Sequence, residues 1–407
     1  MRKFPVRISL GKAERRAVCR VMDRAIRKGN VYLERYAGLE VDAYEKEFAA
    51  YFDSKFATAV SSGTAAIHTA LAALELEPGT EVIVPPITDP GTIAPVLMQQ
   101  CIPVFADVQD NTLNISAKSI ERRITRHTGA VIVVHLVGHP ADMEAIMPIC
   151  RRHRLKVIED CAQAPGARLN GKLIGTFGDM AAFSLMCIKH MTSGGQGGMV
   201  VTDSEEYYWR AKRFADRGKP FNSEESANVR LGLNYRMTDL EAAIGRVQLK
   251  RLAGMIAKRE RIVQALEKGT RNLQAFRFRK TIPGAKSAHW FVFVYYDASK
   301  MKISKEKCVT ALNKEGIPAG AYYVELIYDQ PWIKHRRTFG NSQLPWSLMK
   351  RTEKIDYTGC CPNAEGALRD TIRILIHEGW TNREVKATIA ALEKMERLYG
   401  KEDVQCG

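Results

Sequence analysis

The chain has 407 residues, of which 45% are hydrophobic and 26% are charged, a balance typical of a globular protein with a large core and more than one domain. It contains no run of about 18 apolar residues, so we expect no membrane span. The formal net charge is +16, but the basic residues are spread along the chain without a recognised nucleic-acid-binding motif, so we expect no nucleic-acid partner.

The N-terminal residues and the cysteines indicate the compartment. The chain begins with the basic residues Arg2 and Lys3, and no apolar signal core follows them. Nine cysteines are scattered along the sequence without a Cys-x-x-Cys pair, which favours reduced thiols and no metal site. We therefore expect a cytoplasmic protein.

Seven short apolar segments alternate with helical patterns and predict an α/β domain. Several segments are apolar throughout, as expected for parallel strands covered on both faces. In such a sheet, ligands bind at the carboxyl ends of the strands. The predicted strands are residues 56–60, 81–84, 103–106, 131–134, 156–159, 181–184 and 198–201.

Patterns on either side of this region complete the predicted architecture. Val41, Tyr44 and Phe48 recur at helical spacing before it, and residues 238–252 form an amphipathic helical pattern after it. Residues 288–295 are apolar and predict a further strand. We therefore predict a large α/β domain with a mostly parallel seven-stranded sheet and a smaller C-terminal α+β domain, with boundaries at 1–257 and 258–407.

Small residues join the first predicted strand to a helix. Gly63 permits a tight turn, and the amides of Thr64 and Ala65 would lie at the helix N-terminus. Free N–H groups and the helix dipole favour a phosphate there. A purely structural turn is the alternative.

Polar residues stand at the ends of two later strands. Asp160 ends an apolar strand and is followed by Gln163, whereas Ser184 ends the next strand and Lys189 follows it in a loop before a glycine-rich turn. A helix cap at Asp160 and a solvated lysine are the structural alternatives. Together the four positions are what pyridoxal phosphate needs. A lysine amine forms a Schiff base with its aldehyde, an aspartate holds its pyridine nitrogen protonated, and a serine binds its phosphate.

At this point the chain resembles the DegT/StrS-type sugar aminotransferases, which are pyridoxal phosphate enzymes of fold type I. The resemblance covers residues 5–395. It implies a homodimer in which Asn234 reaches the cofactor phosphate of the neighbouring subunit, and it places Gln163 near the cofactor 3-hydroxyl. It also implies a sugar acceptor and an amino-acid donor, glutamate. The matching stretches are SSGTAAIHTALAAL (61–74), EVIVPP (81–86), IPVFADV (102–108), VVHLVGHPADMEAI (133–146), VIEDCAQAPGA (157–167), GDMAAFS (178–184), GGQGGMVVT (194–202) and LGLNYRMTDLEAAIGRVQL (231–249).

The chain departs from the family pattern around the expected substrate pocket. Asp89 replaces an aromatic residue that stacks on the cofactor ring, Gln196 replaces a glutamate, and Tyr328 replaces a histidine. Asp89 would contact either the cofactor or the substrate. Tyr323 and Tyr328, with His190 beside the lysine, are further candidates for substrate contact.

Two other functions stay open at the level of sequence. In the dehydratase branch of the family a histidine replaces the lysine, and His190 adjoins Lys189. The spacing from Ser184 favours Lys189 as the Schiff-base residue, and hence an aminotransferase. A binding protein that has lost catalysis is the third reading, because a fold does not guarantee a function.

Overall fold

The three-dimensional structure is a computed structural model, which describes residues 4–34, 38–321, 323–350 and 355–401. All seven strands predicted for the large sheet are present. The strands are β1 (Phe56–Val60), β2 (Glu81–Val84), β3 (Ile102–Phe105), β4 (Thr128–Val134), β5 (Lys156–Asp160), β6 (Arg168–Leu169), β7 (Lys172–Leu173), β8 (Met180–Ser184), β9 (Gly198–Thr202), β10 (Phe276–Phe278), β11 (Ala285–Lys286), β12 (Val292–Tyr296), β13 (Ala319–Gly320) and β14 (Thr371–Ile374).

Short polar side chains begin most of the helices. Ser62 and Thr238, for example, accept hydrogen bonds from backbone amides in the first turns of their helices, which satisfies donors that the helix leaves free. None of the helices in the described residues is both long and apolar enough to cross a membrane. The helices are α1 (Lys12–Lys28), α2 (Leu39–Tyr51), α3 (Gly63–Ala73), α4 (Pro90–Met98), α5 (Ala117–Arg123), α6 (Met143–Arg152), α7 (Glu205–Ala215), α8 (Asp239–Thr270), α9 (Lys305–Lys314), α10 (Pro331–Lys334), α11 (Pro362–Arg369) and α12 (Asn382–Tyr399).

The seven-stranded sheet has the order β1-β9-β8-β5-β4-β2-β3. Strands β3, β2, β4, β5 and β8 pair in parallel, whereas β9 runs antiparallel to both of its neighbours. The mostly parallel sheet predicted from sequence is therefore confirmed. Six strands end at one edge, so the turn after β1, the end of β5 and the loop after β8 lie along the same edge.

Alternate residues of each strand enter two separate apolar cores. Ile158 of β5 packs into a core that also contains residues of α3 and α4. Its neighbour Val157 packs into the opposite core with Phe48 of α2 and Leu249 of α8. Helices therefore cover both faces of the sheet, which is why the strands are apolar throughout. Asp160, two residues after Ile158, is placed on the α3–α4 side.

The C-terminal part forms a second, antiparallel sheet of order β10-β12-β14-β13. The strand predicted for residues 288–295 begins only at Val292, because the amides of Ala288 and Trp290 bond instead to carbonyl oxygens of Gly138 and Val137. A single helix, α8, runs through the predicted boundary at residue 257. The division into two domains stays a prediction.

Candidate active site

The turn after β1 packs directly against the end of β8. The hydroxyl of Ser62 accepts a hydrogen bond from the amide of Ala65 at 3.0 Å, so the Ala65 amide is already engaged. The Thr64 amide has no acceptor among the described residues and remains available. A Cβ on Gly63 would lie 2.7 Å from the Cβ of Ser184, so only glycine allows this approach. Thr64 and Ser184 are therefore brought together at a helix N-terminus, where a phosphate is favoured.

Asp160 is buried at the carboxyl end of β5, with 4% of its surface exposed. One carboxylate oxygen accepts from the hydroxyl of Thr92 at 2.8 Å, and the other accepts from the amide of Ala162 at 3.0 Å. Burial raises the pKa of Asp160, although these hydrogen bonds and the charge of Lys189 oppose the rise. No helix begins at Asp160 in the described chain, so it is not a helix cap.

Gln163 is buried near Asp160 and is attached to the neighbouring loop. Its side-chain oxygen accepts a hydrogen bond from the amide of Val137 at 2.7 Å. Val137 has a positive φ of 49°, which is unfavourable for a β-branched residue, and this bond helps to hold it there. Gln163 thus connects the segment after β5 to the loop at Val137. Its contact with the cofactor stays a prediction.

Lys189 follows β8 in a loop and is 7% exposed. Its amine lies 3.5 Å from the centre of the Trp290 ring and forms no ion pair or hydrogen bond with any residue in the described part of the chain. Burial lowers the pKa of Lys189 to about 8, while Asp160 and Asp89 act in the opposite direction. The uncharged form of this amine, which a nucleophile requires, is therefore far more populated near neutral pH than that of an ordinary lysine.

Three backbone carbonyl groups of the lysine loop are held by distant side chains. The indole N–H of Trp290 donates to the carbonyl oxygen of Ile188 at 3.1 Å. The guanidinium of Arg7 donates to the carbonyl oxygens of Lys189 and His190, at 2.6 and 2.7 Å. No sequence motif indicated Arg7 or Trp290, because each lies more than 100 positions from the loop that it holds.

Arg7 is in turn fixed by the C-terminal part of the chain. It forms an ion pair with Glu378 at 2.9 Å, and Arg259 binds the same carboxylate at 2.7 Å. Arg259 also donates to the carbonyl oxygens of His289 and Trp290. The lysine loop, the N-terminal segment and the second sheet therefore share one network of charge-assisted hydrogen bonds.

Asp89 stands at the exposed mouth of the same site. Its carboxylate begins α4 by accepting from the amide of Gly91 at 2.8 Å. Its negative charge acts on both Asp160 and Lys189, raising the pKa of each, so it lies close to both. The structure therefore groups Asp89 with the two predicted catalytic residues. Whether it contacts cofactor or substrate stays a prediction.

The other predicted contacts lie outside this group. His190 is fully buried, and its Nε2 lies 2.9 Å from the carbonyl oxygen of Ala288. Tyr328 is buried, and its hydroxyl donates to Glu365 at 3.3 Å. Tyr323 lines a separate cavity, and Asn234 is exposed. Their contacts with substrate or with a neighbouring subunit stay predictions.

A comparison with protein-family models shows the family to which the chain belongs. Residues 22–393 match the DegT/DnrJ/EryC1/StrS aminotransferase family, nearly the whole chain. The chain belongs to this family. The sequence resemblance is thus confirmed, and with it the fold type, the cofactor pyridoxal phosphate and the aminotransferase class.

Individual relatives of this DegT/DnrJ/EryC1/StrS family member cover most of its length. A GDP-perosamine synthase from Caulobacter vibrioides is 40% identical over 352 residues, which cover 86% of this chain and 89% of the relative. UDP-N-acetyl-3-dehydro-alpha-D-glucosamine 3-aminotransferase from Acidithiobacillus ferrooxidans is 35% identical over 294 residues, which cover 72% and 77%. The solved structure of an aminotransferase from Psychrobacter cryohalolentis has a TM-score of 0.85 at 30% identity, with 97% of this chain and 99% of that chain covered.

The residues of this aminotransferase fit the cofactor of its family. The buried amine of Lys189, which lacks an ion pair within the described residues, suits the cofactor aldehyde. The buried carboxylate of Asp160 suits the protonated ring nitrogen. The Thr64 amide and the closely packed Gly63–Ser184 contact suit the phosphate.

Proposed function

We propose that the chain transfers an amino group from glutamate to a ketosugar that is linked to a nucleotide. The observation that carries this proposal is the buried amine of Lys189, whose pKa is lowered, in one site with Asp160. Two relatives are named for GDP- and UDP-linked sugars, so a nucleotide-linked acceptor is common to both. The net charge of +16 favours such an anionic substrate.

Each residue of the site has a distinct task in this reaction. When bound, pyridoxal phosphate supplies an electron sink for the carbanion formed at the amino-acid α-carbon. Lys189 would hold the cofactor through its aldehyde and, as a free amine, would move the proton of the donor α-carbon. Asp160 would hold the cofactor ring by keeping a proton on its nitrogen. Thr92, which donates to Asp160, holds that carboxylate in position.

The geometry favours this function over a sugar dehydratase. A dehydratase of this family would need a histidine in place of the lysine. His190 is fully buried and its Nε2 is bonded to the carbonyl oxygen of Ala288, whereas the charge of Asp160 acts on the Lys189 amine. A catalytically inactive binding protein would not need to keep both Lys189 and Asp160 in this arrangement.

The proposal also includes the cellular compartment and the oligomeric state. We place the enzyme in the cytoplasm, where nucleotide-linked sugars and glutamate are both present. We also propose that it works as a homodimer, because exposed Asn234 is free to extend towards a second subunit and the resemblance assigns it to the neighbouring phosphate site.

The half-reaction with glutamate tests this function. We expect glutamate to remove the visible absorbance band of the purified holoenzyme and to release 2-oxoglutarate. A panel of GDP- and UDP-linked ketosugars should then restore the band with formation of an aminosugar. Lys189→Ala should lose both steps, and borohydride should label Lys189 in the unmodified enzyme. Full turnover by Lys189→Ala, or no release of 2-oxoglutarate, would contradict the proposal.

A further inference from the structure

Two adjacent cysteines, Cys360 and Cys361, lie just before helix α11. Their sulfur atoms are 3.6 Å apart, in direct contact, and one thiol donates a hydrogen bond to the other. They are far in sequence from Lys189 and take no part in the reaction proposed above. Among the described cysteines, no other pair of sulfur atoms is in such contact.

The two thiols differ in access to solvent. Cys360 is half-buried and lines a cavity of about 300 Å³ together with Arg122 and Arg123. Cys361 is completely buried. Cys360 is therefore the thiol that faces the cavity, whereas Cys361 does not line it.

The surroundings also favour the thiolate form of Cys360. Its pKa is lowered, first by the hydrogen bond from the Cys361 thiol and further by the nearby charge of Arg123, whereas burial opposes the shift. The pKa of Cys361 is raised, because the negative Cys360 and burial both disfavour a second thiolate. The guanidinium of Arg123 is fixed there, since it donates to the carbonyl oxygen of Cys360 at 2.8 Å. Cys360 is thus the nucleophile of the pair and Cys361 stays protonated.

The backbone around the pair is anchored on its C-terminal side. Asp107 accepts hydrogen bonds from the amides of Asn363 and Ala364, both at 3.0 Å. These bonds hold the first turn of α11, which follows the two cysteines directly. Tyr328 packs close to the pair and helps to lower the pKa of Cys360.

We propose that Cys360 and Cys361 form a reversible redox site that a peroxide oxidises by two electrons. The Cys360 thiolate attacks one peroxide oxygen, which breaks the O–O bond, releases hydroxide and leaves a sulfenic acid on Cys360. The sulfur of Cys361 then attacks the Cys360 sulfur, its proton leaves with the hydroxyl as water, and an S–S bond forms. Two thiols are oxidised, and one peroxide is reduced to the level of two water molecules.

The disulfide between these two adjacent cysteines is expected to be easily reduced. Adjacent Cα atoms lie about 3.8 Å apart, below the separation of roughly 4.4–6.8 Å that ordinary disulfides span. Strained disulfides have more oxidising potentials, and they are the labile and regulatory ones. A dithiol reductant should therefore return the pair to thiols, which makes the modification reversible.

Mass spectrometry of the holoenzyme tests the proposal. The protein is treated with equimolar hydrogen peroxide, free thiols are blocked, and the peptide that contains Cys360 and Cys361 is analysed. We expect this peptide to lose two hydrogen atoms and to regain them with dithiothreitol. Buried Cys101 and Cys308 serve as internal controls and should stay reduced. If both thiols of the pair remain reduced while exposed Cys19 and Cys187 are oxidised, the proposal is overturned.

Two variants separate the roles of the thiols. In Cys361→Ser, peroxide should stop at a sulfenic acid on Cys360, which dimedone traps. In Cys360→Ser, the peptide should show no such product, because Cys361 is completely buried and burial by itself raises the pKa of its thiol. A dimedone adduct on Cys361 in the second variant would reverse the assignment. The result for the unmodified protein stands independently of whether either variant folds.

Discussion

The amine of Lys189 has a chemical property that follows from its position alone. It is buried beside an aromatic ring, and the two nearby carboxylates only partly compensate for lost hydration. The pKa of Lys189 therefore falls to about 8 from its usual 10.5. A lysine on the surface would stay charged, whereas this one is ready to act as a nucleophile near neutral pH.

This shift predicts a pH dependence of stability for the cofactor-free protein. Because the folded pKa of about 8 is below the unfolded value, the unfolded state binds more protons between the two, and stability rises with pH in that window. From pH 8 to about 9.5, we expect stability to rise by about 1–2 kcal/mol more than in a Lys189→Met variant. Urea unfolding of both proteins at the two pH values measures the difference. Identical pH dependence in the two proteins would contradict the low pKa.

At the scale of elements, the turn after β1 and the end of β8 depend on each other. Gly63 approaches Ser184 so closely that a methyl group at position 63 would lie 2.7 Å from the serine Cβ. The start of α3 and its amide at Thr64 are held in place by this contact. Any side chain at position 63 would push the helix N-terminus away from the strand.

Gly63→Ala therefore tests the phosphate site. Overpacking of this kind costs about 1–3 kcal/mol, so we expect cofactor affinity to fall by roughly tenfold or more. The dissociation constant is measured by titrating cofactor-free protein with pyridoxal phosphate. Gly195→Ala is a matched control, because a Cβ there meets no atom within 4 Å. Equal affinities of the two variants would argue against the phosphate assignment.

The lysine loop depends on a similar contact between distant elements. Arg7 of the N-terminal segment holds the carbonyl oxygens of Lys189 and His190 and pairs with Glu378. Its removal leaves these carbonyl groups without their donor, and Lys189 is then held less firmly opposite Asp160.

We accordingly expect Arg7→Met to lower kcat about tenfold or more, because misplacing a reacting group affects the chemical step more than substrate binding. Steady-state kinetics separates the effect on kcat from that on KM for the acceptor. Arg16→Met, at an exposed position of α1, is the control and should behave as the unmodified enzyme. A change in KM alone would assign Arg7 to substrate binding instead.

At the scale of the whole molecule, the proposed site of one chain contains Lys189 and Asp160 but leaves Asn234 exposed. Asn234 immediately precedes the segment that leads into α8, and its backbone pairs with Asp216. A homodimer with shared active sites would bring Asn234 to the phosphate of the other subunit. This arrangement is the part of the proposed function that a single chain does not contain.

Mixed dimers test whether the sites are shared. Lys189→Ala and Asn234→Ala are each expected to be nearly inactive. If Asn234 serves the partner's site, a mixed dimer contains one site with both residues intact. Random reassociation of equal amounts should then restore about a quarter of the unmodified activity. Activity after denaturation and refolding of the mixture measures this recovery, and no recovery would place Asn234 in the site of its own chain.

Local patterns in the sequence were enough to predict much of this molecule. All seven strands of the large sheet lie within a few residues of their predicted positions, because residues covered on both faces must be apolar wherever the chain folds. The order of Thr64, Asp160, Ser184 and Lys189 along the chain indicated the cofactor, since each lies at or shortly after the end of a strand, at one edge of the sheet.

The contacts that surround and position those residues were visible only in the tertiary structure. Three features depend on residues that are distant in sequence. They are the antiparallel direction of β9, the hydrogen bonds from Arg7 and Trp290 to the lysine loop, and the cavity that Cys360 and Arg123 line together. Such contacts leave no periodic pattern in a single sequence. The sequence alone therefore predicted Lys189 as a candidate nucleophile. Its lowered pKa results from burial, which only the packed structure creates.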